Sequence, residues 1–378
     1  MTTTKKDPLL VVVQLSGGND AINTVIPYGD ANYYDERPAL QVPENQVLAL
    51  SNQVGFHPAM GPLKKLYDEG KVAVIQGVGF PHCNRSHFRS MDVWHTCEPD
   101  KFATEGWLGR TIRDLDPTKE NVVTGVNYGR GLPHALMLPG VPVASVANLE
   151  AYGLLPGIEE QEQRLAALDT FTRIYSPTME TSFTHEYLSQ TGMDAFKGAD
   201  ILKTVPEKYA SSVEYGNNSV ARYLRMMAQT IIADVGTRIF YTTSPYNSFD
   251  LHGSAMTLQA KLWTDVANYV KDFFDDLHEH NLGDNVTMLL FSEFGRRVKD
   301  NGSGTDHGTG GVALVVGDKV KGGLYSEYPS LAPAKQADGD LQYNYDFRGL
   351  YATLLEQWMG LDSKLIVNGS FEQLDLYA

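Results

Sequence analysis

Thiols are scarce: Cys83 and Cys97 are the two cysteines among 378 residues. That excludes a disulfide framework and a four-cysteine zinc site, and leaves one Cys83–Cys97 bridge as an open pairing. Long apolar runs are missing too. The run at residues 9–13 is far shorter than the roughly 18 to 20 residues of a membrane span and leads straight into Ser16-Gly17-Gly18-Asn19-Asp20. It reads as a strand and not as a signal peptide. The chain as written is expected in the cytoplasm, the alternative being an exported precursor trimmed before its first residue. Positive charge is in the minority, with 31 Lys and Arg against 46 Asp and Glu, a net charge of −15 and a pI near 5.1. Such a balance repels polyanions, so neither nucleic acid nor an anionic membrane surface is an expected partner. A small anion can still be held by local arginines. With 42% hydrophobic and 20% charged residues, the composition is that of a globular chain with material for a large core plus a cap. Internal repeats and low-complexity segments are absent.

What is present is a series of polar clusters placed where apolar strands end. Residues 286–291 and 312–316 read as buried strands, since parallel strands covered on both faces are nearly continuous apolar runs. Between them lie Glu293, Arg296, Arg297, Asp306 and His307, among glycines that let backbone approach a ligand closely. Ligands of open α/β sheets gather beyond the carboxyl ends of the strands, where Glu293 and the Asp306-His307 pair would stand. A solvated loop with turn glycines is the plainer account of the Asp-His pair taken alone. A strand at residues 9–15 delivers Asn19 and Asp20 to such an edge, although Gly-Gly-Asn-Asp is also a good turn.

A strand at residues 72–76 runs into Asn84-Arg85-Ser86-His87 ahead of a predicted helix at 87–95. Ser86 is a natural N-cap there. The same place, rich in free amides, also suits a serine nucleophile acting on an anionic ester, with Arg85 binding the ester oxygens. His82, His87 and His95 crowd this segment. Further strands are predicted at 122–126, 141–146 and 237–242, and the last is followed by Asp250-Leu251-His252. In an extended segment the side chains of Asp250 and His252 project to the same side and can hold one cation. Helices are predicted at 58–69, 106–116, 218–236, 256–279 and from Asp346, as N-cap, to 359, with Arg348 facing the site. Residues 27–53 read as an excursion with little regular structure. Residues 150–215, polar and including a predicted helix at 159–175, read as a cap or lid inserted into one domain spanning 1–378.

Taken together, Gly17-Gly18-Asn19-Asp20, Ser86-His87-Phe88, Phe249-Asp250-Leu251-His252, Ser292-Glu293-Phe294-Gly295-Arg296-Arg297 and Gly304-Thr305-Asp306-His307-Gly308 resemble the DUF1501 family of the alkaline-phosphatase-like and sulfatase-like superfamily. The resemblance covers nearly the whole chain, with the motifs in the family's order. It implies an α/β/α sandwich on a mostly parallel sheet, one or two divalent ions such as zinc or manganese, and in-line attack on an ester by a hydroxyl. Carried over, Asp20, Asp250, His252, Glu293, Asp306 and His307 resemble metal ligands. Ser86 resembles the nucleophile, with Arg85 and His87 beside it, while Asn19, Arg296 and Arg348 would bind substrate. Two registers are open for the last motifs. Glu293 stands where the superfamily has an Asp-His pair, with Phe294 in the histidine's place, or else Asp306-His307 is that pair; strand order favours the first. Formylglycine formation needs Pro and Arg two and four residues after the modified residue, but Cys83 is followed there by Arg85 and His87, and Ser86 by Phe88 and Ser90. The expected activity is therefore metal-dependent hydrolysis of a small phosphate ester, or a related sulfate or phosphonate ester, by Ser86 itself. The alternatives are a non-catalytic binding or assembly protein that retains the fold, and a phosphotransferase or mutase.

Overall fold

The run of apolar residues after Asp7 becomes a central strand because its side chains are wanted on both sides of the sheet. Val11 and Val13 enter one core, while Leu10 and Val12 enter another. The computed structural model of the chain describes residues 6–152, 162–163, 166–167, 169–170, 173 and 183–377. Its strands are β1 (Leu9–Gln14), β2 (Val25–Ile26), β3 (Leu48–Ala49), β4 (Gly55–Phe56), β5 (Val72–Gly79), β6 (Gly125–Tyr128), β7 (Ala144–Val146), β8 (Ile239–Thr243), β9 (Val286–Phe291), β10 (Gly311–Val316), β11 (Gly323–Tyr325) and β12 (Tyr345–Asp346). The main sheet has the order β11-β5-β10-β9-β1-β8-β6-β7, with β12 also pairing β5, and β2, β4 and β3 form a small separate sheet.

Helices cover both faces, giving three α/β/α layers. One core joins β1, β5 and β9 to helices Gly61–Asp68, Ser219–Ala233 and Ala255–Glu279; the other joins the same strands to helices His87–Thr96, Trp107–Leu115 and Phe347–Thr353. Asp346 caps the last of these by accepting from Arg348 N at 3.0 Å, as its place in the sequence predicts. Beyond Thr353 the helix widens into a π-turn over Leu354–Trp358.

One direction departs from expectation. β10 pairs antiparallel with both β5 and β9, whereas the other pairings of this sheet are parallel. A continuous apolar run reports burial on both faces and carries no information on strand direction, so the sequence could not distinguish the two. The consequence is functional, because the loop between β9 and β10 starts and returns at the edge where β1, β5 and β8 also end.

Cys83 and Cys97 are both free, so the one open bridge does not form, and burial pushes both thiols up to about 12. Much of the predicted cap lies outside the described residues; within the predicted 159–175 helix the described residues 162–163, 166–167, 169–170 and 173 are helical, and the cap's described end, helix Phe183–Leu202, joins the core through Leu202. Residues 27–53 hold a short helix, Ala31–Glu36, as well as β3. Among the described residues no helix is long and apolar enough to cross a membrane.

Candidate metal centre

Three loops at the carboxyl edge are locked together before any ligand is considered. Gly17, at φ +118°, lies so close to the loop after β8 that a Cβ would stand 2.5 Å from Asp250 N. Its own N–H donates to Glu293 Oε1 at 2.8 Å. A Cβ on Gly304 would stand 2.5 Å from the His252 carbonyl oxygen, so the return loop packs directly on that segment. Within the return loop Arg297 N donates to the Asp306 carbonyl at 3.0 Å and Gly308 N to the Gly295 carbonyl at 3.0 Å. This narrow hairpin carries His307 back beneath the start of helix His87–Thr96. Ser86 caps that helix, its Oγ accepting from Arg89 N at 3.4 Å, and His87 is the first residue inside.

Three imidazoles meet there. His87 Nδ1 lies 2.9 Å from Glu293 Oε1, His252 Nδ1 3.3 Å from Asp306 Oδ1, and His307 Nδ1 2.8 Å from the Arg85 carbonyl oxygen. Carboxylates and carbonyls only accept, so the closer partners of His87 and His307 assign the proton of each neutral ring to Nδ1 and leave a lone pair on Nε2, while His252 has a carboxylate oxygen beside each nitrogen. The Nε2 atoms of His87 and His252 are each 3.0 Å from that of His307. Asp250 completes the group, with Oδ1 2.9 Å from His252 Nε2 and 3.1 Å from His307 Nε2, and Oδ2 3.5 Å from His87 Nε2. Lone pairs facing each other at this distance with no proton between them repel, and a cation among them removes the repulsion. Ligand atoms of His87, Asp250 and His307 all lie within 4.8 Å of one another. Three imidazoles and a carboxylate fit a divalent transition metal, with each ring held from behind as metal-binding histidines usually are.

The electrostatics agree with that fit. Partial burial alone raises the Asp250 pKa, but the hydrogen bond and charge of Arg296 oppose it, and the carboxyl is held below its ordinary value. Glu293, 1% exposed, accepts from Gly17 N, Ser292 Oγ and His87. The Phe294 ring lies 4.8 Å from that of His87 and 5.1 Å from that of His307 and walls one side of the centre.

The structure sorts the sequence's candidates into three groups. Asp250, His252 and His307 converge, and His87, expected as a catalytic residue beside the nucleophile, joins them. Glu293 and Asp306 stand behind rings, so in neither register does Glu293 face the common point. Asp20 is engaged elsewhere: its Oδ2 pairs with the fully buried Arg37, and its Oδ1 is buried without a hydrogen-bond partner. Arg37 lies in the Tyr-rich excursion, and no sequence motif marks it.

The arginines expected at substrate are spent on protein. Arg296, 1% exposed, donates to the carbonyls of Gly17, Gly18, Phe249 and Thr305 and to Asp250 Oδ1. Arg85 pairs with Asp340 at 3.0 Å and Asp338 at 3.1 Å, and Arg348 pairs with Asp346 at 2.6 Å over the Phe371 ring. Asn19 holds its loop, with N donating to Ser292 Oγ and Oδ1 accepting from Thr24 Oγ1. A cavity of about 660 Å³ lies elsewhere, lined by Leu136, Pro139, Val143, Tyr152 and Asp194 among others and by none of the converging residues.

Near Asp20, His57 yields a pH prediction. Burial lowers its pKa, the Asp20 charge raises it in part, and the result falls from 6.5 to about 4. The folded chain keeps His57 neutral while the unfolded chain takes up a proton below about 6.5, so stability should fall as pH drops from about 6.5 to about 4 and level off below. At 1.36 kcal/mol per unit this is on the order of 3 kcal/mol. Urea unfolding across that range should show the loss, and His57→Asn, which retains a capping acceptor for Ala59 N, should flatten it. A His57→Asn profile as steep as wild type would remove His57 as the cause.

The family described as protein of unknown function, DUF1501, matches residues 7–371 of the chain. No curated protein matches it. Similar solved structures include a protein in the alkaline phosphatase superfamily from Vibrio parahaemolyticus, 11% identical, with a TM-score of 0.45 over 97% of this chain and 70% of that one. The PsFucS1 sulfatase from Pseudoalteromonas sp. is 13% identical, with a TM-score of 0.42 over 98% and 71%. The phosphonate monoester hydrolase SpPMH from Silicibacter pomeroyi is 10% identical, with a TM-score of 0.39 over 97% and 77%. Likeness at this level assigns no chemistry to the chain.

Proposed function

This chain belongs to the DUF1501 family, and on that premise we propose that it is a metal-dependent hydrolase of phosphate or related esters. Its ion is held by His87, His252, His307 and Asp250, and its nucleophile is Ser86. The observation that carries the reading is the inward meeting of the Nε2 atoms at 3.0 Å while every Nδ1 is held from behind. A divalent ion bound there supplies positive charge for the ester oxygens and lowers the pKa of a nearby hydroxyl.

The chain's own groups do the rest. Asp250 is kept ionised and aimed by Arg296. The first amides of helix His87–Thr96 and its dipole favour negative charge beside Ser86. The Ser86 hydroxyl gives one lone pair to its cap and keeps its proton and a second lone pair for reaction. Its Oγ forms a bond to phosphorus as the ester P–O bond breaks, the serine's proton passing to the departing alcohol; water then cleaves the seryl ester, its proton restoring the serine hydroxyl and its oxygen leaving on the released phosphate. Phe294 keeps water from one side of the imidazoles.

The test is turnover by metal-loaded protein and by Ser86→Ala. Alanine should abolish turnover with metal content unchanged, because Ser86 does not ligate; full turnover in that variant would sink the nucleophile assignment. Metal-loaded wild type inert toward phosphate, sulfate and phosphonate esters would favour a binding protein, a reading to which the spent arginines also lend support.

A further inference from the structure

Resting on the hydrolase reading of this centre, we infer that its substrate carries a single negative charge. A phosphate diester fits, and sulfate and phosphonate monoesters share that charge; a dianionic phosphate monoester does not fit. The inference follows from counting charges at the ligand seat. Three carboxylates touch the imidazoles, namely Asp250, Glu293 and Asp306, and one guanidinium, Arg296, touches Asp250. An ion seated among the Nε2 atoms takes the imidazoles as neutral ligands, so they add no charge to the loaded seat.

The geometry provides one seat for an ion. His87 and His252 both close on His307, and the remaining oxygens are already taken: Glu293 by Gly17, Ser292 and His87, and Asp20 on one side by Arg37. One divalent cation therefore brings the seat to zero net charge. A site built for a dianion carries surplus positive charge. Here the nearby guanidiniums are neutralised in pairs, Arg37 by Asp20, Arg85 by Asp338 and Asp340, and Arg348 by Asp346. Arg297 stands 3.9 Å from both Asp338 and Asp340.

The surplus that remains is the start of helix His87–Thr96, worth about half a positive charge. It attracts one negative charge to the side of Ser86. A second charge on the same group would face Asp250, with Glu293 and Asp306 behind the rings and, among the described residues around the seat, no free guanidinium to meet it, in a setting shielded from water on the Phe294 side, where such repulsion is strengthened.

The experiment uses the full chain loaded with manganese or cobalt, with metal content measured. Binding of dimethyl phosphate and of methyl phosphate is followed by the enhancement of their ³¹P relaxation by the bound ion, between about pH 5.5 and 8. Methyl phosphate passes from one charge to two near pH 6, and dimethyl phosphate stays singly charged and reports any change in the protein. Expected is a dimethyl phosphate affinity that stays level and a methyl phosphate affinity at least about 10-fold weaker at the upper pH, the size set by one uncompensated contact of like charges. Methyl phosphate binding that tightens as it gains charge, binding of neither ester, or two equivalents of metal would each overturn the inference. No uptake of either ion would overturn it together with the metal centre. Discrimination as expected without turnover of any ester would overturn the hydrolase reading alone.

Discussion

Replacing His307 with alanine should empty the centre, with metal content falling from near one equivalent to background after dialysis. His307 is the hub of the group. Its Nε2 lies 3.0 Å from those of both His87 and His252 and 3.1 Å from Asp250 Oδ1, and its Nδ1 is fixed by the Arg85 carbonyl. Its loss removes one ligand and the common contact of the other three. Removing a group that only orients a ligand costs roughly 10- to 100-fold in metal affinity, so loss of this ring should exceed about 100-fold. Glu293→Gln gives the internal comparison, because the amide keeps the shape behind His87 while its charge is gone; its loss should stay within that 10- to 100-fold range. The readouts are plasma mass spectrometry and competition with a chelator, with circular dichroism to show that both variants are folded. His307 is partly exposed, so a folding defect is not expected. Wild-type metal content in His307→Ala would end the case for a metal at this place.

The contrast between His307 and Glu293 also shows what could be read from the chain. β1 and β9 were legible because a run such as Leu9 to Val13 has few alternatives once both faces are buried, and the edge position of Asp250 and His252 followed from the end of β8, whereas that of His307 needed the direction of β10. The division of labour among the polar groups was not legible. Sequence gives no sign of which nitrogen of a ring faces inward, so Glu293 and Asp306 read as ligands although they stand behind His87 and His252. His87 was visible as a catalytic candidate beside Ser86 and not as a metal ligand. What makes it a ligand is the antiparallel return of β10, which brings the Asp306-His307 loop to the end of β5. Asp20 and Arg37 fail for a related reason, since an ion pair between a strand end and an irregular excursion is a tertiary event without periodicity.

Arg296→Met should cost about 3 kcal/mol of stability or more, since several buried carbonyls lose a charged donor at about 1–3 kcal/mol each and the half-buried Asp250 loses its ion pair, and should weaken metal binding as well. Sequence position made Arg296 a candidate for holding substrate, and the structure supplies a physical ground for a different role. Its side chain is 1% exposed and ties the loops after β1, β8 and β9 through the carbonyls of Gly17, Gly18, Phe249 and Thr305, while holding Asp250 at 2.7 Å. Methionine fills similar space but offers no donor, so the carbonyls and the carboxylate lose their partner and Asp250 is free to turn away from His252 and His307. Lysine restores the charge without the planar fork, and Arg296→Lys should fall between. The two roles predict different measurements. A substrate-binding arginine would leave unfolding midpoints unchanged and alter KM, whereas a buried clamp lowers the midpoint even in metal-free protein. Added metal at about 100 times its Kd stabilises the folded state by about 2.7 kcal/mol when the site is intact. That increment should shrink in Arg296→Met, because the carboxylate that completes the centre is no longer held. Wild-type unfolding together with a full metal increment in the variant would mean that the surrounding loops orient Asp250 without the guanidinium.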